Sequence, residues 1–364
     1  MSRVALKQIN SGMKSSLNEL INLIGGLDEF LNHDDVVLLK PNINGKEGVT
    51  NIKLVKSLIE LLLDFKVKKI VIGEATFGNS QMTDVYFEKS GYADLAKKYE
   101  IELINFNDSS IKKVKVDNPL ILNEIKIAEE VFDVDKIINM PIMKVHYATG
   151  ITLAMKNLKG LLVGDEKMHF HESGLDKSIV DLNKVVKPEL HIVDCISCME
   201  GMGPRGGEMV DLNLIMAGED SAAVDFIGSK IMGYKLEEIK HLSYYINEND
   251  INIENINVVG ETIKDVQYDF DKANIDIEIP SNIEVKNINA CSSCMNALIL
   301  SCRFLENEIQ EKIQVYLGSK YEEDNNCTKK IAFGNCCGDN EYFDEQIKGC
   351  PPFPLKLKEI INKF

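Results

Sequence analysis

The stretch VVLLKPNINGKEGVTNIKLVKSLIELLLDFKVKKIVIGE, residues 36–74, decides the fold. Val36-Val37-Leu38-Leu39 is an unbroken apolar run, as expected of a strand buried on both faces. Residues 51–65 then place Leu54, Leu58, Leu61, Leu62 and Phe65 at helical spacing. Lys69-Ile-Val-Ile-Gly73 is a second apolar run. Strand, helix, strand with a short return is the unit of a parallel sheet.

The same alternation extends in both directions. Residues 14–26 read as a short amphipathic helix ending at Gly25-Gly26. Asp84 to Glu100 reads as a helix, Glu102 to Phe106 as a strand, Lys136 to Met140 as a strand and Ile151 to Leu162 as a helix. Leu190 to Asp194 and Leu214 to Ala217 are further strands, and Ala222 to Met232 is a helix. The expected fold class is therefore α/β, a doubly wound, mostly parallel sheet, with a small cysteine-rich α+β domain at the C-terminus. The expected division is an α/β core over 1–260, connecting strands over 261–283 and the cysteine-rich domain over 284–364. In the last of these, helices are expected at Asn296 to Glu308 and Pro354 to Phe364.

Bulk properties exclude several classes. The 364 residues carry a net charge of −16, which argues against a broad nucleic-acid surface. No apolar run reaches the roughly 20 residues of a membrane span, and the first residues lack the apolar core of a signal peptide. A cytoplasmic protein is expected, and in that compartment nine cysteines suit metal ligands or free thiols better than disulfides.

Open α/β sheets bind ligands beyond the carboxyl ends of their strands, and four loops lie there. Lys40-Pro41-Asn42 follows the first strand, and Gly73-Glu74-Ala75 closes the next. The densest segment runs from Lys144 and His146 to Lys156, Asn157 and Lys159. Lys156 and Lys159 are three apart and share a helix face. The plain reading is a solvated amphipathic helix; the functional one is an anion pocket assisted by a helix N-terminus. His146, whose ordinary pKa lies near working pH, would move the proton. The fourth loop, Asp194 to Glu208, holds Glu200, Gly203, Arg205 and Gly206. Its glycines could cradle an anion, and Asp194 or Glu200 could act as a base or hold a cation. Cys195-x-x-Cys198 is either a dithiol pair or two buried thiols. His169-Phe-His171, read as extended, would aim both rings to one side, as metal ligands or as part of a surface loop.

Seven of the nine cysteines lie beyond residue 290: Cys291-x-x-Cys294, Cys302, Cys327, Cys336-Cys337 and Cys350 before Pro351-Pro352. A C-x-x-C turn can hold two ligands of one metal centre, and a Cys-Pro end is common in iron–sulfur sites.

Five separated blocks resemble the DUF362 family: VVLLKPNING (36–45), VIGEA (71–75), INMPIMKVHYATGITLAMKNLKGLL (138–162), HIVDCISCMEGMGPRGGE (191–208) and MAGEDSAAVDFIGSKIMG (216–233). Cys195 and Cys198 depart from the family pattern, which has small non-thiol residues there. The family commonly adds a ferredoxin insert or a cysteine-rich tail, and this tail is similar to the second. Its GCPP ending also resembles the last cluster ligand in the small subunits of complex I and nickel–iron hydrogenases. Carried over by motif, the resemblance implies a 4Fe–4S cluster on Cys291, Cys294, Cys336 (or Cys337) and Cys350, with structural zinc as the competitor. The chain also bears a distant likeness in fold order to the amino-terminal half of nickel-pincer lactate racemases.

The resulting expectation is an iron–sulfur oxidoreductase for electron transfer, at home under anaerobic conditions. A small anionic substrate would be held by Lys40, Asn42, Lys156, Asn157, Lys159, Gly203, Arg205 and Gly206, with His146, Lys144 and Glu200 catalytic. Alternatives are a racemase- or lyase-like enzyme with a structural or Lewis-acid cluster, and an electron carrier. A redox partner protein would follow from the cluster, and a homodimer stays open; neither nucleic acid nor membrane is expected as a partner.

Overall fold

The computed structural model describes residues 2–44, 47–77, 80–204, 207–273, 278–288, 290, 292–305, 311–318, 329–338 and 341–363. In chain order the strands of the first part are β1 (Arg3–Gln8), β2 (Val36–Pro41), β3 (Lys69–Glu74), β4 (Glu102–Asn105), β5 (Ile111–Lys115), β6 (Glu124–Ala128), β7 (Lys136–Met140), β8 (Ile142–His146), β9 (Gly150–Thr152), β10 (Leu190–Glu200), β11 (Glu208–Gly218) and β12 (Asn257–Gly260). Among the described residues ten of these form one sheet, in the order β12-β1-β11-β10-β7-β2-β3-β4, with β8 and β9 branching beside β10. The β5–β6 hairpin stands apart. Pairing is parallel through β10-β7-β2-β3-β4 and antiparallel around β11. The chain is thus α/β with a large, mostly parallel sheet.

The unbroken apolar runs have a direct cause. Val37, Leu39, Ile70 and Ile72 pack into one core with Leu17, Leu20, Leu54 and Leu58 from the helices Met13–Leu23 and Ile52–Phe65. Leu38 and Val71 point the other way, into a core shared with Ile179, Leu182, Val224 and Ile227 of the helices Leu175–Val185 and Ser221–Ile231. Alternate residues serve opposite faces, so every position must be apolar.

The tail adds β13 (Ile283–Ile288), β14 (Ile313–Gly318), β15 (Lys329–Phe333) and β16 (Glu345–Ile347), an all-parallel sheet in that order. Helix Ser292–Cys302 follows β13 and packs against the terminal helix Leu355–Ile361. Between β12 and β13, where connecting strands were expected, the described residues carry a helical turn, Ile263–Val266, and no strand. Asn296 Nδ2 donates to the Tyr147 carbonyl at 3.2 Å. The Cys350 N–H donates to the His171 carbonyl at 2.6 Å, and the Leu175 N–H to the Cys350 carbonyl at 3.1 Å. The tail is therefore tied directly to the core.

Several elements differ from the expectation. The helix over 84–100 is two, Ser80–Lys89 and Tyr92–Tyr99, broken at Gly91, which adopts φ 80°. The helix expected over 151–162 begins as β9; only Ala154–Asn157 is α-helical and Leu158–Leu161 is 3-10. The loop expected after Asp194 is instead the outer half of β10, paired antiparallel with β11 as far as Glu200↔Glu208. His169 and His171 lie on a helix, Glu166–Ser173, so they do not share a face.

Gly73 shows how tightly β3 packs: a Cβ there would overlap the Phe106 ring. Gly73→Ala is expected to cost about 1–3 kcal/mol by overpacking. Chemical denaturation should show Phe106→Leu recovering part of that loss in the double variant.

Candidate functional site

A cavity of about 510 Å³ lies between the tail and the residues at the ends of β2 and β3 and along β8. Beneath it, the Lys40 side chain is fully buried. Its ammonium contacts the Glu74 carboxylate and donates to the Pro41 carbonyl at 2.8 Å. Desolvation pulls Lys40 down and pushes Glu74 up from their ordinary values, and the contact between them opposes both shifts. Gly160 covers the pair: a Cβ at this position would overlap the Glu74 carboxylate.

A ladder of buried amides continues from there. Asn139 Nδ2 donates to the Ala154 carbonyl at 2.9 Å. Asn157 Nδ2 donates to Asn139 Oδ1 at 2.8 Å, and Asn42 Nδ2 to Asn157 Oδ1 at 2.9 Å. The Lys144 ammonium donates to Asn42 Oδ1 at 3.1 Å and to the Gly48 carbonyl at 3.0 Å. The ladder fixes the amide orientations and presents Lys144 at the cavity wall.

Four lysines line the cavity: Lys144, Lys156, Lys159 and Lys167. Burial and then Lys159 pull Lys156 well below the ordinary lysine range. Burial and then Lys167 pull Lys159 down to about 7. Lys167 falls to about 8, mainly by burial, although Glu74 opposes the shift. The turn carrying Lys156 is held by Asp225, whose carboxylate accepts the Ala154 and Met155 N–H groups at 2.6 and 3.2 Å. Burial pushes Asp225 up to about 8 against those bonds.

Two histidines complete the polar wall. His146 Nδ1 accepts the Ala148 N–H at 3.0 Å, so the neutral ring carries its proton on Nε2. Burial, then Lys156, His171, Lys159 and Lys144, push His146 well below the ordinary histidine range. The expected titration near neutrality is therefore replaced by a permanent Nε2–H donor. His171 is pushed down in the same way, by burial and then by Lys159 and Lys156, against a hydrogen bond to the Pro351 backbone. Its Nδ1 and the Thr152 hydroxyl are buried with no hydrogen-bond partner among the described residues. His169 is exposed on the other side of the helix.

Thus Asn42, Lys144, His146, Lys156, Asn157 and Lys159 share one cavity, with Lys40 below them. Gly203 adjoins it, its carbonyl accepting the Tyr147 N–H at 3.0 Å. Glu200 does not line it; its carboxylate accepts the Asp271 N–H at 2.9 Å and fastens the hairpin tip. Asp194 is likewise structural: it accepts the Asn51 and Ile196 N–H groups at 2.6 and 2.9 Å. Arg205 and Gly206 lie outside the described residues. Cys195 and Cys198 are buried in the core, their thiols pushed well above the usual range by burial, as for inert hydrophobes. Sequence reasoning did not single out Asn139, Thr152, Lys167 or Asp225, although Asn139, Thr152 and Asp225 lie within the quoted family blocks.

The cysteine loops of the tail meet at Gly334, where a Cβ would lie 3.4 Å from Cys294 Sγ and 3.7 Å from the Gly349 carbonyl. The Asn335 N–H donates to that carbonyl at 3.0 Å, and Asn335 Oδ1 accepts the Gly349 N–H at 2.7 Å. These bonds join the turn bearing Cys336 to the turn bearing Cys350. Cys294 sits, buried, in the first turn of an 11-residue helix. Cys336 is exposed, whereas the Cys337 thiol donates to the Tyr316 carbonyl at 3.1 Å. Cys302 is buried at the far end of the helix, its thiol pushed up to about 11 by burial. Cys291 and Cys327 lie outside the described residues, and among those described no three Cys, His, Asp or Glu form a metal-binding group. Cys294 and the turns bearing Cys336 and Cys350 are compatible with a metal cofactor.

Fold and site together define an α/β protein with a lysine-lined cavity capped by a cysteine-rich module. Residues 37–230 match the family described as a domain of unknown function, DUF362, and the chain belongs to that family. A thylakoid-associated protein of Synechocystis is 29% identical over 229 residues, covering 60% of this chain and 69% of that relative. A crystal structure of a Thermotoga maritima protein aligns with TM-score 0.40 at 12% identity, covering 85% of this chain and 71% of that one. The lactate racemase apoprotein of Thermoanaerobacterium thermosaccharolyticum aligns with TM-score 0.45 at 10% identity, covering 87% and 68%. Among the described residues no helix is long and apolar enough to cross a membrane.

Two outcomes follow from the charges. A bound anion favours the protonated amines, so it raises the pKa of Lys159 and Lys167 from about 7 and about 8. Affinity for sulfate, whose charge is fixed, is greatest below these values and falls as pH rises through about 7 to 9; calorimetry across that range should show proton uptake on binding. Glu74→Ala leaves the buried Lys40 without its counter-charge and should cost about 3–5 kcal/mol. In denaturant titrations, Lys40→Met with Glu74→Leu should cost less than Glu74→Ala alone.

Proposed function

We propose that the chain is an enzyme acting on a small carboxylate or phosphate in this cavity, with a 4Fe–4S cluster held by the tail. One observation carries the first half. Four lysines face a cavity whose carboxylate, Glu74, is already engaged by Lys40. Lys156 and Lys159 have no acidic partner within ion-pair distance among the described residues. Partly buried cations in such a group are strongly unfavourable unless an anion joins them.

Each residue then has a role. Lys156 and Lys159 hold the anionic group, and Lys144, oriented by Asn42, holds a second oxygen. His146 Nε2–H donates to substrate oxygen. Lys159, near neutrality, can give or take a proton at the reacting centre.

The support for the second half is the convergence of Cys294 with the Cys336 and Cys350 turns at Gly334. Cys291, Cys294, Cys336 and Cys350 are the proposed ligands; Cys337 is set aside because its thiol is engaged by a strand carbonyl. Such a cluster supplies single electrons, making the enzyme an oxidoreductase fed by a redox partner protein. A second reading, a non-redox proton-transfer enzyme of racemase or lyase type, is favoured by Lys159, lowered to about 7, which can give or take a proton without electrons beside the fixed His146 Nε2–H donor.

Purified anaerobically, the protein should be brown, with about four irons and four sulfides per chain. Cys336→Ser should lose iron, whereas Cys337→Ser should retain it. A colourless protein containing zinc removes the oxidoreductase reading and leaves the proton-transfer one.

A further inference from the structure

The cavity is much larger than a simple acid needs, and its wall is polar in one part and apolar in another. At about 30 Å³ per water molecule, 510 Å³ corresponds to on the order of 17 waters, several times what a two- or three-carbon acid displaces. The polar part holds Lys156, Lys159, the orphan Thr152 hydroxyl and the orphan His171 Nδ1. Thr152 is 2% exposed and His171 6% exposed, so neither group can satisfy itself in bulk water.

Much of the remaining wall is apolar, with Arg303 among it and the His171 ring beside it. Phe77 and Phe353 stack there with ring centroids 4.8 Å apart and planes 27° apart. Met202 comes from the β10–β11 hairpin, while Leu300 and Phe304 come from the first tail helix and the residues just after it. Aromatic walls opposite a few convergent polar groups are the usual make-up of a site that orients a ligand with one apolar and one polar end.

We infer that the substrate is an anion carrying a planar apolar body, an aryl carboxylate or aryl phosphate in class, rather than a bare short-chain acid. The inference rests on the anion reading of the cavity and adds the body to it. The anionic head sits on Lys156 and Lys159, where the Thr152 hydroxyl gains its missing hydrogen bond. The ring lies against Phe77 and Phe353, under the roof formed by Leu300 and Phe304. That roof belongs to the tail, so ligand binding draws the two parts of the chain together. Phe353 is three residues past Cys350, and its ring meets the His171 ring edge-on at 6.2 Å. The substrate body is therefore placed on the side of the cavity nearest the cysteine turns.

The test compares matched ligands on the full chain, purified anaerobically with whatever metal it carries. Calorimetric affinities are measured for benzoate against acetate, and for phenyl phosphate against inorganic phosphate. The aryl member of one pair should bind about ten- to hundred-fold more tightly, and the pair showing this identifies the head group. Phe353→Ala and, as a milder change, Leu300→Ala should narrow that difference. Lys156→Ala and Lys159→Ala should weaken both members of the pair together. Equal affinity within both pairs, with the lysine variants still weakening binding, overturns the aryl inference and keeps the anion reading. Failure of every anion to bind, or binding indifferent to the lysine variants, overturns both.

Discussion

Everything at the carboxyl edge of the sheet is arranged around one buried ion pair, Lys40 with Glu74. The two residues end adjacent parallel strands, β2 and β3, and neither can leave the interior without unpacking its strand. An unpaired charge at this depth would be far more costly than any single apolar contact nearby is worth. Hence each residue fixes the other's rotamer, and together they fix the space above. Gly160 is drawn down onto the pair because only hydrogen fits there. Its carbonyl then accepts the Ala75 N–H at 2.9 Å, which closes the loop after β3. The 3-10 turn Leu158–Leu161 is thereby pinned, and with it the direction in which Lys156 and Lys159 emerge.

The pair also explains why the lysines of the cavity remain a problem for the folded protein. Glu74 is the carboxylate that lines the cavity, and Lys40 has claimed it. Lys167 gains some relief from Glu74 and donates to the Leu162 carbonyl at 2.7 Å. Lys156 and Lys159 gain less and repel each other. In this respect the site resembles an anion receptor prepared in advance: folding fixes the amines in place with lowered pKa values, and a bound anion would draw protons onto them. The amide ladder Asn139–Asn157–Asn42 suits the same purpose, since every member is satisfied and none can rotate to neutralise the ligand's place.

Much of the sheet was legible because buried parallel strands leave an unmistakable apolar run, as in Val36–Leu39 and Lys136–Met140. Where the reading failed, pairing overrode local pattern. Ile151, Ala154, Met155, Leu158, Leu161 and Leu162 do fall at helical spacing. Yet Ile151 is claimed by Val145 of β8 across an antiparallel ladder, so the helix can start only after Thr152. The glycines at 201–207 suggested a ligand loop from Asp194 onward, but β11 supplied a partner for residues as far as Glu200. Lys144, His146, Lys156, Asn157 and Lys159 could be grouped because they share one segment. Lys167 and Asp225 could not, since their relation to the cavity depends on helices packing from elsewhere. The cysteine tail was legible in its spacing alone, and the bond from the Cys337 thiol to the Tyr316 carbonyl was not.

Cavity and tail are joined through too few residues to be independent. His171 contributes its ring to the cavity and its carbonyl to the Cys350 N–H. The Cys350 carbonyl in turn receives the Leu175 N–H, at the start of the next core helix. A displacement of the Cys350 turn would therefore move the helix end that aims His171, and Phe353 would move with it. The converse also holds, because a ligand seated against Phe353 and His171 restrains the turn. If the cysteines hold a metal centre, occupancy of that centre and occupancy of the cavity stabilise the same set of contacts, and each should tighten the other by linkage. Such reciprocity would be absent from a tail that was only an attached electron carrier. It gives a physical reason for building the roof of the cavity out of the cysteine-rich module and not out of a further loop of the sheet.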